Sequence, residues 1–191
     1  VATNPELTIK PKIENSTILI IDDNPTNLGV ISDYLKDYGF TILVDRDGES
    51  GLETAEYSRP DLILLDIKMP GIDGFETCRR LKNHQSLQEI PVIFMTALTD
   101  TEDKVTGFQA GAVDYITKPF QPEEVLARVV THLNNQALTA ELQRARDELE
   151  LRVEGRTAEL SAANARLQVE IAERKQAEAE IKNLNDNLAH R

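Results

Sequence analysis

Ile18–Asn27 reads ILIIDDNPTN: four aliphatic residues run straight into two adjacent aspartates. A short unbroken apolar run ending in a turn signal is what a β-strand buried on both faces requires. Two carboxylates at the mouth of a hydrophobic core repel each other and are costly to desolvate. Something cationic is expected beside them.

The residues that follow fix the architecture. NPTNLGVISDYLKDYGF carries helix signals, with Pro25 at an early helical position, Leu28, Ile31 and Leu35 on one face, and Gly39 as the stop. TILVDRD reads as a strand and GESGLETAEYSR as a short helix weakened by Gly51. DLILLD is a second nearly continuous apolar run, followed by the glycine-rich loop MPGIDG and the helix FETCRRLKN. IPVIFMTA is a strand, TEDKVTGFQA a helix stopped by Gly111, AVDYITKPF a last strand with a sharp turn, and QPEEVLARVVTHLNNQ another helix. Five β-then-α units in roughly 125 residues predict a doubly wound α/β sandwich with a parallel sheet. Right-handed crossovers bring every strand C-terminus to one edge. Asp22, Asp23, Asp66, Thr96 and Lys118 all fall at or just past such ends.

Composition bounds the function. The 191 residues are 40% hydrophobic, enough for a real core, and carry a net charge of −12. That charge argues against nonspecific nucleic-acid binding and against anionic membranes. A single cysteine, Cys78, excludes an internal disulfide and fits a reducing compartment. No signal peptide opens the chain and no 18-residue apolar run occurs, so a cytoplasmic location is expected and no membrane segment in this fragment. Residues 1–15, polar with two prolines, read as a flexible tail.

From Glu141 to Arg191 there is no proline and one glycine, Gly155. Residues 1–140 hold 22 acids and 12 bases, whereas 141–191 hold 11 and 9, so the acidity belongs mostly to the sandwich. The later part reads as one long helix. Leu138, Leu142, Ala145 and Leu149 step by 4, 3 and 4, and Val153 comes four later, which interrupts the heptad. From Val153 the seam Thr157, Leu160, Asn164, Leu167, Ile171, Arg174, Glu178, Ile181, Asn185 and Leu188 alternates by 4 and 3. A parallel homodimeric coiled coil is the leading reading, with marginal stability from its polar seam positions. A solvated helix lying on another surface is the alternative.

The acidic set has a chemistry. Asp22, Asp23 and Asp66 suit a hard divalent cation held with water and few protein ligands, for which Mg²⁺ is the expected occupant. Lys118 is a second cation on the same edge, placed for a salt bridge to Asp66, and Thr96 offers a hydroxyl donor. A carboxylate beside a metal and a lysine can act as a nucleophile toward a phosphoryl group. Asp66 is the best candidate because it ends the central run and precedes a loop able to wrap a metal.

LIIDDNPTN, PDLILLDIKMPGIDGFE, IPVIFMTA, GAVDYITKPF and RVVTHL together resemble the receiver domain of two-component response regulators. The resemblance covers residues 17 to about 133. It implies a flavodoxin-like sheet of order 2-1-3-4-5 and Asp66 as the phosphoacceptor. It implies Asp22, Asp23, Asp66 and the Lys68 backbone carbonyl as the metal set. It implies Thr96 as the switch hydroxyl, Tyr115 as the switch aromatic, and Lys118 as the phosphate-contacting lysine before a cis peptide to Pro119. The donor would be a phosphohistidine on a sensor histidine kinase or a histidine phosphotransfer domain, and self-dephosphorylation is expected. Asp45 and Gly51 depart from the family, which usually has small apolar residues there.

The expected organisation is therefore a tail over 1–15, a receiver over 16–136, and a signalling helix over 137–191. The helix segment resembles linkers to PAS, GAF, histidine-kinase or cyclic-dinucleotide domains. Its candidate seam is Leu149, Val153, Leu160, Asn164, Leu167, Ile171, Ile181 and Leu188. No separate enzyme domain is visible, and the parent could be a hybrid histidine kinase. A stand-alone receiver–coil docking module is the second reading, and a pseudo-receiver used only for assembly is a third. His84, His132 and His190 are scattered without zinc spacing, with His132 expected on a helix surface, and Cys78 is expected as a packed small residue.

Overall fold

The computed structural model describes residues 15–97 and 107–189. The tail expected over 1–15 lies outside the described residues except for Asn15, as do residues 101–106 of the helix expected over 101–110, and His190. The strands are β1 (Thr17–Ile21), β2 (Thr41–Asp45), β3 (Leu62–Asp66), β4 (Val92–Thr96) and β5 (Asp114–Thr117). The helices are α1 (Pro25–Lys36), α2 (Gly48–Ser58), α3 (Gly74–Asn83) and α4 (Pro122–Ala189). The strands form one parallel sheet of order β2-β1-β3-β4-β5.

Helix starts follow their caps. Asn24 accepts from the Thr26 amide with Pro25 in the first turn of α1, Asp47 accepts from the Ser50 amide at α2, and Asp73 from the Glu76 amide at α3. Each cap satisfies an amide that the helix itself leaves unpaired.

Strand alternation sends side chains to two cores. On one face Ile18, Ile20, Leu62, Leu64, Ile93, Met95 and Ile116 meet Leu28, Ile31 and Leu35 of α1 and Val125, Leu126, Val129 and Leu133 of α4. On the other, Leu19, Ile21, Ile63, Leu65, Val92 and Phe94 meet Ala55 of α2 and Cys78 and Leu81 of α3. Burying each large aliphatic side chain contributes about 1.5–3 kcal/mol before entropy is counted. Cys78 is fully buried and its thiol donates to the Ala110 carbonyl at 3.3 Å.

Gly51 has a packing role that its low helix propensity hides. A Cβ there would lie 2.4 Å from Ile21 Cδ1, so its absence lets α2 sit close on β1. The helix runs unbroken through it.

The described chain divides into two compact units between Leu138 and Thr139. In the second unit, Leu142, Leu149, Val153, Leu160, Leu167, Ile171 and Ile181 are 52–72% exposed. Its surface carries ion pairs one turn apart, Arg146–Glu150 at 3.2 Å and Arg152–Glu148 at 2.8 Å, each of which adds a few tenths of a kcal/mol. The helix continues through Gly155, and the side chain of Leu188 lies outside the described residues. Among the described residues no helix is long and apolar enough to cross a membrane.

Candidate active site

Strand register assembles the site. Ile21 pairs with Leu65, so the next residues, Asp22 and Asp66, stand side by side beyond β1 and at the end of β3. Asp66 pairs with Met95 and Thr96 with Thr117, which brings Thr96 and then Lys118 to the same edge. The edge is tight on the α3 side. A Cβ on Gly74 would lie 2.3 Å from the Asp66 carbonyl oxygen, so only glycine lets α3 begin against the phosphoacceptor candidate. The Gly74 amide donates to the Ile67 carbonyl at 2.9 Å and closes the intervening loop, which includes Lys68.

Asp22 is fully buried, Asp66 is 6% exposed and Asp23 is exposed. Each offers a carboxylate oxygen, and these oxygens lie within 4.8 Å of one another. Three hard oxygen donors at one strand edge fit a divalent cation completed by water. Lys118 Nζ donates to Asp22 Oδ2 at 2.7 Å and sits 2.8 Å from Asp66 Oδ2. The sequence reading foresaw its pairing with Asp66; the equally short bond to Asp22 emerges only from the fold.

Electrostatics follow the packing. Burial lifts the Asp66 carboxyl above its usual range, although Lys118 and the Lys68 backbone N–H pull it down. Burial by itself would lower the Lys118 ammonium, but its bonds to Asp22 and Asp66 outweigh that and hold it above the ordinary lysine value. The lysine therefore stays charged between the two carboxylates.

Thr96 is buried at the end of β4, and its carbonyl accepts from the Lys118 amide. Tyr115, on the neighbouring strand, is half-buried, and its ring meets Phe108 edge-on with centroids 6.1 Å apart. The Lys118–Pro119 peptide is cis.

Three further contacts were not legible in the sequence. Asn27 Nδ2 donates to both Asp22 oxygens, at 3.1 and 3.0 Å. Arg46 donates to the Asp23 carbonyl at 3.2 Å. His132, expected on a helix surface, is instead half-buried with Nε2 3.0 Å from Asp114 Oδ2, because α4 packs over β5 there. Asn27 had a usable signal, a polar side chain inside the first turn of a helix that starts at the aspartate pair. The other two depend on how separate elements pack.

The family model described as response regulator receiver domain matches residues 18–130. The chain belongs to the response regulator receiver family. One relative of this receiver is the DNA-binding dual master transcriptional regulator RpaA of Synechocystis, 46% identical over 112 residues, covering 59% of this chain and 46% of that protein. A probable cyclic di-GMP phosphodiesterase of Vibrio cholerae is 39% identical over 148 residues, covering 78% of this chain and 33% of that protein. Among solved structures, the receiver domain of the sensor histidine kinase PA1611 of Pseudomonas aeruginosa was crystallised with a magnesium ion coordinated in its active site cleft. It is 33% identical with a TM-score of 0.57, covering 62% of this chain and 97% of that one. The chain spans about half or less of these two curated relatives. The carboxylate cluster of this receiver matches the Mg²⁺ site of the family, and the Asp/Lys arrangement is that of phosphoacceptor receivers.

Proposed function

We propose that this receiver accepts a phosphoryl group from a phosphohistidine onto Asp66 and passes the resulting state to a paired C-terminal helix. The observation that carries the reading is the triangle of Asp22, Asp66 and Lys118, closed by 2.7 and 2.8 Å contacts on one strand edge. Asp66 attacks the phosphorus, the P–N bond breaks, and its electron pair returns to the imidazole, which takes up a proton from solvent. The product is an aspartyl phosphate. Asp22, Asp23, Asp66 and the Lys68 carbonyl would hold Mg²⁺, which would supply neutralisation of charge on the phosphoryl oxygens. Lys118 contacts the phosphoryl group as a cation whose charge the two aspartates maintain. Thr96 turns its hydroxyl toward the new phosphoryl oxygens and Tyr115 follows into the space released, a two-state element biased by added charge. Water later hydrolyses the acyl phosphate at the same site.

The donor is a sensor histidine kinase or histidine phosphotransfer domain, in the cytoplasm, with no direct nucleic-acid contact from this stretch. The net charge of −12 supports that exclusion. We assign 1–15 as a tail, 16–136 as the receiver and 137–191 as a signalling helix that pairs in parallel with a second copy. The exposed apolar seam supports pairing, because a solvated helix of this length has little else to stabilise it. The Vibrio cholerae match supports an enzymatic output in a longer parent. Its 148 residues reach at least ten beyond Leu138 even if they begin at Val1, so the likeness takes in the start of the helix.

Intact-mass measurement after acetyl phosphate with Mg²⁺ tests the reading. One phosphoryl group should add to wild type and none to D66A. Equal labelling of D66A, or no labelling of wild type, would sink it.

A further inference from the structure

We infer that Asn27 is a positioning residue of the acidic site: its carboxamide fixes the Asp22 carboxylate in the orientation that the cation and Lys118 use. The inference rests on the receiver reading of that site. A carboxylate only accepts, so the amide nitrogen of Asn27 must face Asp22. That nitrogen reaches Oδ1 at 3.1 Å and Oδ2 at 3.0 Å. The other donors each hold one oxygen: the Asn24 amide holds Oδ1 at 2.9 Å, and Lys118 holds Oδ2 at 2.7 Å.

The distinction matters because the terminal torsion of aspartate is broad. Lys118 is a poor anchor for it, being a flexible cation shared with Asp66. Asn27 is neutral, so it restrains rotation without cancelling the charge a cation needs. It sits in the first turn of α1, which is fixed by the Asn24 cap and Pro25. A rigid element thus supports a residue that is itself fully buried. Partners of metal-site carboxylates at this remove typically contribute 10–100-fold in metal affinity.

Isothermal titration of the full chain with Mg²⁺ tests this. N27L keeps the number and branching of the side-chain heavy atoms without the donor and should raise the Mg²⁺ dissociation constant about 10–100-fold. Its melting midpoint in EDTA should stay within a few degrees of wild type. N27H, whose Nδ1–H lies near the position of the asparagine nitrogen, should recover most of the affinity. If N27L does not fold, N27A carries the same expectation on a good helix former. A wild type that binds Mg²⁺ with N27L within twofold of it overturns the inference and leaves the receiver reading standing. So does an N27H no better than N27L. A wild type that neither binds Mg²⁺ nor is labelled by acetyl phosphate overturns both.

Discussion

At the scale of single residues, Asp45 and Asp114 show how one sheet treats two carboxylates in opposite ways. Burial raises Asp45 above the usual range against the pull of a hydrogen bond with Thr54, and its Oδ2 is buried with no hydrogen-bond partner. Burial also acts on Asp114, but bonds from His132, Arg128 and the Tyr115 amide outweigh it and hold that carboxyl low. The signs differ accordingly. A raised carboxyl favours the folded state when protonated and disfavours it as pH rises through its folded value. D45A should therefore be slightly more stable than wild type at pH 7, because solvent screens much of the cost at this half-buried site, and the gain should fade on acidification. A depressed carboxyl stabilises above roughly pH 4 and loses its effect as pH falls through the folded value. D114N should lose about 1–2 kcal/mol at pH 7, with the deficit closing below that point. Urea unfolding across the pH range measures both, and parallel curves for either variant would contradict its assignment. The departure at Asp45 was visible in the sequence. Its buried, unpaired oxygen was not, since that depends on where α2 lies.

At the scale of elements, local chemistry and packing compete at Gly51. Alanine there gains about 1 kcal/mol of helix propensity. The added methyl would sit 2.4 Å from Cδ1 of the fully buried Ile21, and overpacking of that kind costs about 1–3 kcal/mol. G51A should be net destabilising by roughly 1 kcal/mol, and I21V, which removes the obstructing methyl, should restore stability to G51A. A double-mutant cycle by urea unfolding checks it, and additivity would rule out the contact. The strands and helices were legible because their signals are local: DLILLD is apolar throughout, and Pro25, the Leu28–Ile31–Leu35 face and Gly39 bound the first helix. The approach of α2 to β1 was not legible, because a glycine looks the same in sequence whether it loosens a helix or seats it.

At the scale of the whole molecule, the proposal is that two copies meet through the seam of α4. Replacing Leu160 and Leu167 with glutamate in the full chain should raise the dimer dissociation constant at least about a hundredfold, since each leucine buried at a seam contributes about 1.5 kcal/mol or more. Acetyl phosphate should still label Asp66. Light scattering across a dilution series reads the first outcome and intact mass the second. Wild type that is monomeric at every concentration would refute pairing while leaving the phosphoryl chemistry intact.

By itself the sequence determined the α/β order, the buried strands, and the five residues gathered at one edge. Each follows from periodicity, helix-start and helix-stop residues and the rule that parallel crossovers align strand ends. Tertiary structure alone decided the remaining partners: Asp22 as the second carboxylate on Lys118, Asn27 across both oxygens of Asp22, and His132 drawn onto Asp114. Spacing along a chain can bring groups to the same edge. Which oxygen meets which donor is settled by strand register and helix packing at the scale of a single hydrogen bond.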